Sequence, residues 1–271
     1  MSNEEDTLVL PCAPSDEEKL SYLKANRTII YAFGVFSFIC INIGIILFIH
    51  SAYYFLVLVP FSLYQFFYLS FSYVIGLFGR DFDYNWHQEQ FARPEVKSYK
   101  PSVDIYLPSC GEPMEILNNT YTYVNQIVYP NYKVYVLDDK DRKEVKELAA
   151  SFGFNYIVRN NRPHLKKAGN IRYAFQHTSG DLFTIFDADF CPRHDFLQET
   201  VSYFYIFPEV AVLQTPQYFR VREEQTWVEK GAGSVQELFY RLIQVNRNRF
   251  QASICVGTSA VYRREALVPF G

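Results

Sequence analysis

The sequence predicts an α/β protein: a mostly parallel sheet with flanking helices, preceded by two transmembrane helices. Three observations carry this. No Asp, Glu, Lys or Arg occurs from Ile29 to Gly79. After Pro101, short apolar β-rich runs alternate with stretches of helical period, the pattern of strands joined by crossover helices. The apolar runs also end in acids, at Asp138 and Asp139 and again at Asp187 and Asp189.

Residues 1–28 read as an acidic cytosolic tail. Glu4, Glu5, Asp6, Asp16, Glu17 and Glu18, with Pro11 and Pro14, predict disorder as far as Glu18. Residues 29–79 form a two-helix hairpin, with spans at Ile29–Ile49 and Tyr53–Gly79 and a turn at His50 and Ser51. At about 1.5 Å per residue each span crosses a bilayer core. The late start, the length and the acidic flank argue against a cleaved signal peptide. Lys19, Lys24 and Arg27 precede the first span, Arg80, Arg93 and Lys97 follow the second, and the turn has no Lys or Arg. This asymmetry places both termini in the cytosol. Residues 80–100 are a linker, and residues 101–271 are the cytosolic domain.

Within that domain Val103–Leu107 is the first strand. Glu112 and Pro113 start a helix running to about Val128, with Pro in the first turn. Lys133–Leu137 is the second strand, followed by an amphipathic helix over Asp141–Phe152 closed by Gly153. Asn155–Val158 is the third strand, and Lys167 to about Thr178 is a helix closed by Gly180. Leu182–Phe186 then delivers Asp187 and Asp189.

Residues at i and i+2 of a strand point the same way, so Asp187 and Asp189 leave it on one face with only Ala188 between them. Two anions this close repel unless a cation sits between them, and carboxylate oxygens suit Mg²⁺ or Mn²⁺ completed by substrate phosphates. Ligands of parallel sheets bind beyond the carboxyl ends of the strands, where Asp138 and Asp139 also fall. A helix cap near Asp141 is the alternative task for one of that second pair.

Other functions are disfavoured. A net charge of −3 leaves no basic face for nucleic acid. The five cysteines, Cys12, Cys40, Cys110, Cys191 and Cys255, have no Cys-x-x-Cys spacing, against a zinc site or disulfide framework. His164, His177 and His194 lack ligand spacing and read as surface residues. At least two of Arg159, Arg162, Lys166 and Arg172 read as a solvated basic loop. The Asn26 and Asn118 sequons lie on the cytosolic side and stay unused.

The motifs Tyr135-Val136-Leu137-Asp138-Asp139, Lys167-Ala168-Gly169-Asn170, Phe186-Asp187-Ala188-Asp189, Gln214-Thr215-Pro216-Gln217-Tyr218-Phe219 and Val256-Gly257-Thr258 occur in that order. Together they resemble the processive family 2 glycosyltransferases of the cellulose synthase type, over roughly Val103 to Leu267. The resemblance implies a GT-A-like nucleotide-sugar-binding sheet. It implies an inverting, metal-dependent enzyme that extends a β-linked polysaccharide such as cellulose from a UDP-sugar, UDP-glucose first. Asp138 or Asp139 would bind the uracil end. Lys167, Gly169 and Asn170 would approach the diphosphate, and Asp187 and Asp189 would hold the ribose and the metal, Mg²⁺ or Mn²⁺. Gln214, Thr215 and Pro216 would line the polymer path, and Val256, Gly257 and Thr258 would meet the acceptor glycan.

The implied setting is a multi-pass protein of the plasma membrane, in contact with the lipid bilayer and able to join a synthase homo- or hetero-complex. Two positions depart from the family pattern. Gly111 stands where Asn is usual, and Val256 takes the place of a Cys that falls one residue earlier, at Cys255. The family's general base lies in a Thr-Glu-Asp motif, followed by Gln-x-x-Arg-Trp, and both are expected beyond Gly271, which makes this chain a donor-binding part. The competing expectations are a non-catalytic membrane remnant that associates with a full-length synthase, and a dolichyl-type transferase of single sugars.

Overall fold

The computed structural model describes residues 9–23, 27–77 and 82–270. Glu4, Glu5, Asp6, Lys24, Asn26, Gly79 and Arg80, each used above, lie outside them. The chain divides into two compact units.

The first unit holds described residues 9–15, 84–215 and 255–270 around a six-stranded sheet. Its strands are β1 Val103–Ser109, β2 Tyr132–Asp138, β3 Asn155–Ile157, β4 Leu182–Ile185, β5 Val212–Gln214 and β6 Ala260–Arg263, in the order β3-β2-β1-β4-β6-β5. β3, β2, β1 and β4 run parallel; β6 is antiparallel to both β4 and β5. The mostly parallel sheet is therefore present, with a mixed edge. Every residue of β1 and β4 is buried, as both faces of a central parallel strand require. Val103, Ile105 and Leu107 pack on one side with Leu117, Tyr121 and Val124 of the helix Met114–Asn125 and with Val145 of the helix Lys143–Ser151. Tyr106, Phe183 and Ile185 pack on the other with Ala174 of the helix Lys166–His177.

Several boundaries move. β1 extends to Ser109 and β2 to Asp138, because Asp138 pairs in register with Ser109. Pro113 caps its helix from outside instead of entering the first turn, and that helix ends at Asn125. Gly153 closes the next helix as expected: its φ is +72°, with its N–H on the Ala150 carbonyl at 3.0 Å and that of Phe154 on Ala149 at 2.9 Å. Gly180 closes nothing, since the preceding helix stops at His177 and Thr178 is already extended. Gly180 is instead a close approach: its N–H donates to Asp104 Oδ2 at 2.7 Å, and a Cβ there would lie 2.7 Å from the same carboxyl.

The tail expected to be disordered is structured from Val9. Pro11 C=O accepts from Asn119 Nδ2 at 2.8 Å and Pro14 C=O from Arg193 Nη1 at 2.6 Å.

The second unit holds the described residues of Asp16–Asp83 together with Pro216–Ile254. Residues 216–254, expected inside the 101–271 domain, thus group with the apolar helices. Asp16–Ser21 is helical, and both oxygens of Glu18 accept from Arg220 Nη2, at 2.8 and 2.7 Å, so this part of the acidic tail is ordered by a charge partner. The apolar helices are Arg27–Ser51 and Val59–Leu77, joined by a 3₁₀ turn over Tyr53–Leu58. His50 and Ser51 continue the first helix, and the break falls at Ala52, whose φ of −158° and ψ of 133° are extended. Tyr73 sits against Gly34 and Tyr31 against Gly76, with the two rings edge-on at 6.2 Å. The stretches Tyr31–Ser51 and Tyr54–Gly76 are each long and apolar enough to cross a membrane.

Candidate active site

All the sequence-predicted site residues of the sheet unit gather at one rim, where the carboxyl ends of β1, β2, β4 and β5 meet the start of β6. Asp138 ends β2 with no exposure; its carboxylate accepts from Lys140 N–H at 3.0 Å, Arg142 N–H at 2.7 Å and the Tyr156 hydroxyl at 3.0 Å. Its contacts organise the loop after β2, but it does not cap the helix Lys143–Ser151, whose N-cap position is Arg142 with no side-chain cap. Burial, then the bond to Asp138, pushes the Tyr156 phenol up, so it stays a donor. Asp139 forms a bidentate pair with Arg159, Nε to Oδ1 and Nη2 to Oδ2 both at 2.7 Å. The Asp139 carboxylate raises the Arg159 pKa above its ordinary value, keeping the buried guanidinium charged.

The remaining Arg159 donors reach the His164 carbonyl and, at 2.9 Å, that of Lys166. Gly169 lies against this guanidinium and against His164 C=O, where a Cβ would clash, so the glycine serves the packing of Arg159 in addition to any approach to a ligand. Asn170 falls in the second turn of the helix, not at its start, and is buried. Its Nδ2 donates to Leu137 C=O at 2.7 Å, tying the helix to β2.

Lys167, in the first turn, is half-exposed and ion-paired to Asp187. Asp187 and Asp189 do not alternate along a strand. β4 stops at Ile185, because its partner β6 begins at Ala260 opposite it, after Gly257 at φ +87° and Ser259 at φ +57°. Phe186 turns into the core against Phe190 and Phe196, and Phe190 N–H closes a turn on Asp187 C=O at 3.0 Å. Thr120 Oγ1 donates to Ala188 C=O at 2.6 Å, and Asp189 is exposed. Burial pushes the nearby Cys191 thiol up to about 12, so it stays protonated and the turn offers hard carboxylate oxygens. Among the described residues no three His, Cys, Asp or Glu side chains converge as a metal site.

Gln214 and Thr215 clamp the opposite wall. Gln214 Oε1 accepts from Val256 N–H at 3.0 Å, while its Nε2 donates to the carbonyls of Thr258 at 3.1 Å and Ser259 at 3.2 Å. Thr215 Oγ1 reaches Ser259 C=O at 2.7 Å. Thr258 Oγ1 donates to Ile185 C=O at 3.2 Å and accepts from Asp187 N–H at 3.1 Å, so the Val256–Thr258 loop touches the acidic turn directly. Pro216 belongs to the other unit.

His164, His177 and His194 are exposed, as are Lys166 and Arg172. Arg159 is the residue that the sequence concealed. Two residues beyond β3 at the same rim as two acids, its position was the available signal; its place in a basic cluster masked it.

A mostly parallel sheet with acids, a lysine and an ordered loop on one rim defines the class as an α/β domain with its candidate site beyond the carboxyl ends of the strands. Residues 104–269 match the profile of Glycosyl transferase family 2, and the chain belongs to that family. It is 35% identical over 176 residues to the UDP-forming cellulose synthase catalytic subunit of Pseudomonas fluorescens (strain SBW25), covering 63% of this chain and 24% of that protein. It is 35% identical over 190 residues to cellulose synthase 1 of Komagataeibacter xylinus, covering 68% and 12%. The chain thus spans a quarter or less of the length of these relatives. A solved mannosyltransferase from Pyrobaculum calidifontis, in complex with GDP-Man and Mn²⁺, shares the fold with a TM-score of 0.51 at 19% identity, over 74% of this chain and 55% of that one.

Proposed function

We propose that this chain binds the donor of a polysaccharide synthase, a UDP-sugar with UDP-glucose first, together with Mg²⁺ or Mn²⁺. The whole protein would extend a β-linked glycan such as cellulose with inversion at the anomeric carbon. The observation that carries this is the convergence of Lys167, Asp187 and Thr258 on one rim, where a cation, a carboxylate and a backbone-anchoring hydroxyl meet, with Asp189 exposed two residues further along the same turn. The cellulose synthase relatives support the donor and the polymer, and the mannosyltransferase of like fold, solved with a nucleotide sugar and Mn²⁺, supports the metal.

The residues present suit such an ion. Asp187 and Asp189 offer oxygen ligands on one turn, and a hard cation held by one or two carboxylates takes the rest of its shell from phosphates and water. When bound, the metal would offset charge on the departing diphosphate. Lys167 would bind the diphosphate, exchanging its pairing with Asp187 for the phosphate oxygens. Asp138 and Asp139, both occupied by protein partners, would shape the wall at the uracil end with Tyr156 and Arg159. The Gln214 and Thr215 clamp would fix Val256, Gly257 and Thr258 as the acceptor-side wall. The apolar helices would anchor this unit in the bilayer, with the sheet unit on the cytosolic side.

Nucleotide selectivity tests the proposal. In detergent, the full chain is expected to bind UDP and UDP-glucose only with Mn²⁺ or Mg²⁺ present, and GDP-mannose much more weakly. Equal binding of the two nucleotide classes, or binding indifferent to EDTA, would overturn it.

A further inference from the structure

Arg159 lies outside every motif that carries the family resemblance, yet it is the largest fully buried side chain among the described residues. One edge of its guanidinium is saturated by Asp139; the other gathers the carbonyls of His164 and Lys166. Those carbonyls bracket Leu165 at φ +55° and Lys166 at φ +43°. Two successive non-glycine residues hold the left-handed region only where surrounding contacts fix them. Arg159 is that contact. From this pinned corner the helix Lys166–His177 begins, and the next residue, Lys167, reaches Asp187. Gly169 packs on the same guanidinium from the helix side, which fixes the rotation of the first turn.

We propose that Arg159 is a positioning residue for the donor diphosphate: held charged and immobile by Asp139, it sets the corner from which Lys167 is aimed. This rests on the donor-site proposal above. It also gives Asp139 a task that touches no ligand, acting through Arg159 and Lys167. The planar fork is essential to it, because a point ammonium cannot span a carboxylate and two carbonyls at once.

The test is a double-mutant cycle on Mn²⁺-dependent UDP affinity, using the full chain in detergent with R159K, K167M and both. Lysine at 159 keeps a charge beside Asp139 and so preserves the fold, checked by circular dichroism. R159K is expected to weaken UDP binding by about tenfold, the scale of one charge-assisted hydrogen bond. In the K167M background the same change is expected to do almost nothing more, an outcome that a general loss of structure would not give. Additive losses, or an unchanged affinity in R159K while K167M weakens binding, would overturn the positioning role and leave the donor site standing. Unchanged affinity in K167M alone would overturn both. Should R159K fail to fold, Gly169→Ala pushes on the contact between the guanidinium and the His164 carbonyl without removing the charge. It is expected to weaken UDP binding only when Lys167 is present, and additivity there overturns the role equally.

Discussion

At the scale of single residues, two glycines show how closely the rim and its support are packed. Gly169 faces Arg159 and Gly180 faces Asp104, each with no room for a methyl group. Overpacking of this kind costs about 1–3 kcal/mol, so Gly180→Ala, far from the rim, should lower the unfolding free energy measured in urea by that amount while leaving nucleotide binding intact. Asp181 sets a pH dependence. The Ser102 hydroxyl, at 2.6 Å, and then the Ser102 N–H, at 2.8 Å, hold its carboxyl below the usual carboxylate range. A lowered native value means the stabilisation is complete above an unfolded value of about 4 and is lost as pH falls through the lower native one. Asp181→Asn should therefore unfold at lower urea than the parent at neutral pH, with the difference closing in acid. Motif residues were legible in the sequence as types and order. Their partners were not, because Asp138 meets Tyr156, and Asp139 meets Arg159, only after β2 and β3 pair.

At the scale of elements, apolar period and turn chemistry located every parallel strand, since β1, β2 and β4 read as apolar runs whatever surrounds them. Two errors have a common origin. Gly180 reads as a helix stop, and Asp187 and Asp189 read as an extended continuation of the Leu182–Phe186 strand, whereas a cross-strand carboxylate claims the first and the end of the β6 ladder decides the second. Both depend on neighbours remote in sequence. The β5 end and the loop before β6 act as one clamp through Gln214. Gln214→Ala would strand Val256 N–H and the Thr258 carbonyl, whereas the Ser259 carbonyl keeps the Thr215 hydroxyl at 2.7 Å. A buried polar group left unpaired costs about 1–3 kcal/mol. The expected result is faster hydrogen exchange at residues 256–259 and weakened metal-dependent binding through Thr258, with the β1–β2 amides unchanged. Equal loosening of β1 and β2 would mean that the clamp is not local.

At the scale of the whole molecule, the chain joins a sheet unit of the family 2 glycosyltransferase type to a unit bearing two bilayer-length apolar helices. The charge-free stretch announced the helices, but residues 216–254 meet them through pairs such as Asn246 Nδ2 with the Tyr31 hydroxyl at 3.2 Å, which no local pattern reveals. If the helices span a bilayer, the full chain should stay with membranes through alkaline carbonate extraction, and its release would contradict that placement. At the rim Lys167 pairs with Asp187, and Asp189 lies exposed on the same turn. Calorimetry of UDP binding to the full chain with Mn²⁺, compared with D189A, tests this rim as the donor site most directly. The expected result is saturable, Mn²⁺-dependent binding that D189A abolishes while its circular dichroism matches the parent. UDP binding that persists unchanged in D189A, or that never depends on the metal, would contradict it.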